Sequence, residues 1–393
     1  MDDNKNRQDG CRKACSLVDG PEGDDIMPAV NRRTFIARTA AIGGTATALA
    51  APALAQTNPD VRWRMPMFVP KSLEVHWNEM GEFAQRVADA TDGKFQIQRF
   101  GAGEIVPGGP AVLDAVETGT VECGYTLAYY SVGKDPTYAF ATTLPFGFGT
   151  RLQLSWWLRG GGSELMGAFF KTKNLVAVPI GNSTAQMGGW FRKEIKTLAD
   201  LKGLKMRIPG LAGQVMAKLG AVPQQLAAGE IFTALERGTI DAAEWAHPAE
   251  DERMGFQKVA PFYYAPGWWE PNAMIHLFIN DKAWETLPKH YRAIVTAAAL
   301  ATHQNLCAKY DQLNSIALRR LIAGGAKLSF FSNDILDAAH AAAFQIYDDI
   351  AKQNAGFAKV YGPWKKYLDD NELYLRVAEN SYESYAFSKR ARG

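Results

Sequence analysis

Arg207 stands in Leu204-Lys205-Met206-Arg207-Ile208, where charged and apolar residues alternate as along a strand, and Pro209-Gly210 stops the run. A guanidinium is a planar fork of donors that matches a carboxylate bidentately, so Arg207 at a strand end is a candidate partner for an organic acid. The same alternation also fits a solvated strand face. Glu244, Glu270 and Gln186 supply hard oxygens, to which the Trp245 carbonyl adds a fourth. Such a set suits Ca2+ or Na+ better than zinc. These residues are far apart in the chain, and only a fold could assemble them. The histidines, at 76, 247, 276, 290, 303 and 340, form no paired ligand motif. The sequence has no G-x-S-x-G, P-loop or H-E-x-x-H, and Gly101-Ala102-Gly103 is a turn, because Val106 stands where a dinucleotide fingerprint needs its third glycine. A hydrolase or lyase could use Glu244 or Glu270 as a base, but neither has a nucleophile or acid partner nearby in the sequence.

The elements that must position these groups centre on Gly229 to Pro248. Ile231, Phe232 and Leu235 recur at helical spacing, Gly238 stops the helix, and Thr239 to Ala243 is short and suited to a buried strand that runs into Glu244 and Trp245. In open α/β sheets the residues just past a strand face a cleft. An echo lies at Gly103 to Thr126: both stretches begin Gly-Glu-Ile, and Ala115, Glu117, Gly119 and Thr120 match Ala234, Glu236, Gly238 and Thr239. The echo predicts two similar α/β lobes.

Val61 to Met67 and Lys94 to Phe100 read as strands flanking a helix from Ser72 to Ala90. With the Gly103 to Thr126 unit this succession predicts a mostly parallel sheet. A helical stretch from Leu152 to Phe170 is interrupted at Gly160-Gly161-Gly162, and Leu175 to Ile180 and Ala273 to Ile279 read as strands. From Lys289 to Leu321 runs a helical pattern that would extend roughly 50 Å, enough to brace both lobes. Helices follow from Asn333 to Asn354 and beyond Tyr361.

A net charge of +2, with no basic cluster interleaved with aromatics, argues against a nucleic-acid partner. Arg32-Arg33 precedes a weakly apolar run, Thr39 to Leu54, that ends in Ala53-Leu54-Ala55. Paired arginines, a weak apolar region and an A-x-A end are those of a twin-arginine export signal cleaved before Gln56, with translation beginning at Met27. The run is shorter than the roughly 20 residues that span a membrane. Cys11 and Cys15 fall in that segment; Cys123 and Cys307 are expected in the core.

Gln186-Met187-Gly188-Gly189-Trp190-Phe191, Lys202 to Gly210, Ala234 to Trp245 and Gly267-Trp268-Trp269-Glu270-Pro271 resemble, in that order, the periplasmic substrate-binding proteins of tripartite ATP-independent (TRAP) transporters, the DctP family. The wording is most similar to the branch that binds 2-oxo acids or lactate with a cation. The resemblance implies a two-lobed α/β periplasmic-binding-protein fold that closes over an organic acid such as pyruvate or lactate and hands it to membrane permease subunits, without catalysis and without an organic cofactor. It implies Arg207 as the carboxylate ligand, Tyr129 and Trp245 as pocket walls, and Gln186, Glu244, the Trp245 carbonyl and Glu270 as ligands of Ca2+ or Na+. It also implies that a homodimer could form through swapped C-terminal helices. On this reading residues 1–55 are the export region, 56–184 with 273–312 form one lobe, and 185–272 with 313–393 form the other and the C-terminal helices. A ligand sensor for a membrane kinase would use the same fold. The motif Ala246-His247-Pro248 points to no particular ligand.

Overall fold

The computed structural model describes residues 58–226 and 228–390. Residues 1–55, read from the sequence as an export region, with Arg32, Arg33, Cys11 and Cys15, lie outside them. The two echoing stretches fold alike: helix Pro110–Glu117 turns into strand β3 (Cys123–Thr126), and helix Ala228–Arg237 turns into β8 (Ala242–Ala243). At the matched turn positions Gly119 and Gly238 have φ of 75° and 71°, a left-handed conformation that glycine adopts without steric cost.

Each copy sits in its own sheet. In the first, β1 (Val61–Pro66) pairs in parallel with β2 (Phe95–Phe100), and a bridge between Met67 and Tyr125 ties β1 to β3. β3 then pairs with β10 (Met274–Asn280), and β10 with β4 (Leu175–Asn182). The second sheet runs β11 (Lys327–Phe330), β9 (Phe262–Ala265), β5 (Trp190–Phe191), β8, β6 (Lys205–Arg207), β7 (Val222–Gln224). The alternation of elements predicts mostly parallel sheets, and the strand pairs among the described residues are parallel and antiparallel in equal number. β10 is antiparallel to both its neighbours, and so is β5. The reason is the path of the chain. β5 follows the first crossing between sheets and β10 follows the second, so each enters its new sheet from the cleft, at the edge where the other strands end.

Periodicity sorts the core. Along β10 Ile275, Leu277 and Ile279 pack in the cluster that contains Trp63, Phe83 and Phe95, while Met274 and Phe278 face the cluster that contains Trp156 and Phe170. The helix Lys289–Ala323 has 35 residues, and buries a stripe through Tyr291, Val295, Ala298, Thr302, Leu306 and Tyr310. It packs on β4 and helix Glu74–Asp89 at one part of its length and on helix Pro248–Met254 at another. The helix Ala355–Tyr374 packs Phe357 against Phe140 and Trp364 against Phe148. Cys123 and Cys307 are buried free thiols. No helix among the described residues is long and apolar enough to cross a membrane.

Candidate functional site

The strands β6 and β8 end side by side, with Arg207 opposite Ala243. The Glu244 N–H donates to the Arg207 carbonyl at 2.9 Å, which fixes the two ends in register. Along β6 the side chains alternate: Lys205 is exposed, Met206 is in the core, and Arg207 is 7% exposed. The solvated-face reading therefore holds for Lys205 and fails for Arg207. The Arg207 Nη1 donates to the Glu244 carbonyl at 2.8 Å and to Glu244 Oε2 at 2.6 Å, and the guanidinium lies over the Trp245 ring at 5.4 Å.

Gln186 and Glu270 come from the two crossing segments. Gln186 N–H donates to the Glu270 carbonyl at 3.2 Å, and Gln186 Nε2 to Glu270 Oε2 at 2.6 Å. Gly267 holds these segments in contact, because a Cβ there would stand 2.4 Å from the Gln186 carbonyl oxygen and 2.7 Å from that of Met187. Tyr129 reaches the Glu270 carboxyl from the turn just beyond the end of β3. The six residues singled out in the sequence thus meet at one place. Arg207, Gln186, Trp245 and Tyr129 line a cavity of about 50 Å3; Glu244 and Glu270 are buried against them, at 1% and 3% exposure.

The electrostatics are those of two buried carboxyl groups whose charged forms are disfavoured without a cation. Burial raises Glu244 to about 7, with Arg207 opposing and Asp251 adding. Burial and then Glu244 push Glu270 well above the usual carboxylate range, while Arg207 opposes. Gln186 Oε1 is buried and accepts no hydrogen bond. Two carboxylates and an orphaned amide oxygen are acceptors without enough donors, and this donor set fits a hard cation.

Residues 68–354 match the model of the DctP family, described as bacterial extracellular solute-binding protein, family 7. The chain belongs to this family. Family 7 proteins are substrate-binding receptors of TRAP transporters, not enzymes; they bind small ligands and work with membrane transporter subunits. This family 7 chain is 46% identical over 365 residues to the monocarboxylate 2-oxoacid-binding periplasmic protein of a Nostoc species, covering 91% of this chain and all of the relative. A TRAP solute-binding protein from Bordetella bronchiseptica, 47% identical, superposes with a TM-score of 0.82 over 85% of this chain and 99% of that one; it is a mixed-occupancy dimer with copurified calcium and picolinate in one site. A third protein, from Pseudoalteromonas atlantica, is 34% identical with a TM-score of 0.77 over 83% of this chain and 99% of that one, and holds sodium and pyruvate. The two-lobed architecture expected from the sequence is thus that of the family.

The cavity of this family 7 receptor has further walls that sequence reasoning did not single out. Phe68, Ser183, His76 and Glu250 line it, and His247 enters from the tip that carries Glu244 and Trp245. His247 had a signal, its place two residues beyond Trp245. Phe68 and Ser183 had none, since nothing local marks a residue that only long-range packing brings to a cavity. Burial, and then the neighbouring His76, lower His247 to about 3, so its imidazole is neutral.

Proposed function

We propose that this receptor binds a small 2-oxo or 2-hydroxy monocarboxylate, such as pyruvate or lactate, together with Ca2+ or Na+, and delivers it to TRAP permease subunits. The observation that carries the reading is the juxtaposition of one buried guanidinium with two buried carboxylates and an amide oxygen that has no partner. Arg207 would hold the acid's carboxylate. Gln186, Glu244, Glu270 and the Trp245 carbonyl would hold the cation, which supplies positive charge beside the second oxygen of the acid; Tyr129 and Trp245 would wall the pocket. Once a cation has displaced their protons, the two carboxylates and Arg207 sum to one negative charge, and a divalent cation with a monocarboxylate brings the set to neutrality. The relatives that hold pyruvate with sodium and picolinate with calcium support it, since pyruvate and picolinate each offer a carboxylate and a neighbouring donor atom. Mass spectrometry of ligand released on denaturing the purified protein should find a 2-oxo or 2-hydroxy acid, and calorimetry in calcium or sodium should show pyruvate or lactate binding. No heat with either acid in either ion overturns the reading.

We further assign residues 56–184 with 273–312 to one lobe and 185–272 with 313–393 to the other. The two sheets support this division, because β4 ends at Asn182 and β10 begins at Met274. Export by the twin-arginine route belongs to the same proposal, on the strength of Arg32-Arg33 before its weak apolar run. Changing both arginines to lysine should leave the precursor in the cytoplasm; undiminished periplasmic protein would point to ordinary secretion.

The C-terminal helix is proposed as the homodimer contact. Leu373, Tyr374, Val377, Tyr382, Tyr385 and Phe387 are each more than half exposed along a helical tail, a set of apolar side chains that a second chain would cover. Ending the chain at Tyr374 should convert a dimer into a monomer in sedimentation. A monomeric full-length protein would contradict this.

A further inference from the structure

The cavity has two ends. Arg207, Tyr129, Tyr130 and Trp245 also border the open cleft outside it, a space of about 650 Å3. His76, His247 and Glu250 line the inner cavity and have no part in that cleft. An acid held by Arg207 can extend into the cleft or into the inner cavity, and the second placement brings its remaining carbons toward His247 and Glu250.

This inner end is polar and its hydrogen bonding is incomplete. His76 is fully engaged, with Nδ1 at 2.8 Å from the Tyr125 hydroxyl and Nε2 at 2.9 Å from that of Tyr310. Tyr310 also donates to Glu250 Oε1 at 3.1 Å, and its ring lies 4.1 Å from the His247 ring. Two groups are left over. Glu250 Oε2 has no partner, and neither does either ring nitrogen of His247, although His247 is 0% and Glu250 2% exposed. Asn314 and the backbone of His247 itself both approach the ring, but neither meets hydrogen-bond geometry, and Asn314 Oδ1 accepts instead from Ala249 N–H at 3.0 Å. A neutral imidazole carries one N–H and one lone pair, and a buried donor or acceptor left unmatched is costly.

We propose that His247 and Glu250 form a specificity subsite for a hydroxyl on the terminal carbon of the acid, so that the receptor selects 2-oxo acids ending in –CH2OH over those ending in –CH3. The hydroxyl accepts from the imidazole N–H and donates to Glu250 Oε2 from a single atom. A methyl group does neither. A second carboxylate would meet the Glu250 oxygens, acceptor against acceptor. The inference rests on the reading of this cavity as a 2-oxo acid site.

The test uses two acids with equal numbers of non-hydrogen atoms, 3-hydroxypyruvate and 2-oxobutanoate, which differ only in a terminal hydroxyl or methyl. Titrated calorimetrically into the full-length mature protein in calcium, hydroxypyruvate should bind about ten-fold to a hundred-fold more tightly, the value of a matched against an unmatched buried polar pair. In His247→Leu the preference should shrink to within about three-fold, because an apolar wall discriminates weakly between the two. The wild-type ratio decides the matter even if that variant does not fold. Equal binding of the two acids, or a preference for 2-oxobutanoate, overturns this inference alone. Failure of both acids to bind in calcium and in sodium overturns the parent reading and this one with it.

Discussion

Arg207→Ala is expected to weaken binding of the cognate acid by about thirty-fold to several thousand-fold. The magnitude follows from leaving one member of a buried, hydrogen-bonded charge pair without its partner, about 2 to 5 kcal/mol. Arg207 is 7% exposed, so water cannot replace the guanidinium at the ligand's carboxylate. Arg207 also faces Glu244 at 2.6 Å, and the substitution strips that carboxylate of its cation. Glu244 is already raised to about 7 with Arg207 present, so on losing it the carboxyl can take up a proton instead of standing charged and buried. The unliganded protein should therefore still fold, with a lowered melting temperature. Arg207→Lys should fall between wild type and alanine, since an ammonium keeps the charge but not the bidentate fork. Calorimetry with pyruvate or lactate measures the effect, and undiminished binding by the alanine variant would remove Arg207 from the ligand site.

Removing the cation should produce the second large effect. Glu244 and Glu270 are both buried, Glu244 adds to the burial that raises the proton affinity of Glu270, and an anionic ligand entering beside the ionised pair adds a third negative charge. A cation between them turns that repulsion into attraction, so metal and acid must strengthen each other's binding by the same factor, about 5-fold to 150-fold for ordinary coupling. Chelator followed by dialysis into sodium-free buffer should weaken acid binding by that factor, and Ca2+ or Na+ should restore it. Glu270→Gln should blunt the response while leaving an amide partner for Gln186 in place of the carboxylate it now donates to at 2.6 Å. Acid affinity that is indifferent to both ions would make the two carboxylates structural groups, and the case for a 2-oxo acid built on the cation would fall with it.

Much of this protein is legible from short stretches. The helix-turn-strand echo is written in Glu-x-Gly-Thr, because a left-handed turn residue between a helix and a buried strand is a local demand, met by Gly119 and Gly238 alike. The long helix is equally legible, since its buried stripe repeats at the helical period without reference to what covers it. Residue type nominated Arg207 and the oxygen ligands, and motif wording gave the family.

Tertiary structure decided what depends on residues remote in the chain. Gln186 and Glu270 are 84 positions apart, and meet because β5 and β10 both begin at the cleft, which also makes these two strands antiparallel to their neighbours. A strand's direction in a sheet is set by where the chain comes from, and its own residues carry no record of that. The same holds along one face of a short strand: Lys205 and Arg207, two residues apart, share a face, and only the packing at the strand's end made Lys205 an exposed residue and Arg207 a buried one. His247 shows the limit most plainly. Its type and its place beside Trp245 are in the sequence, but a partner is missing only when every neighbour has been counted, and those neighbours, Tyr310, Asn314 and His76, come from elements joined by the fold alone.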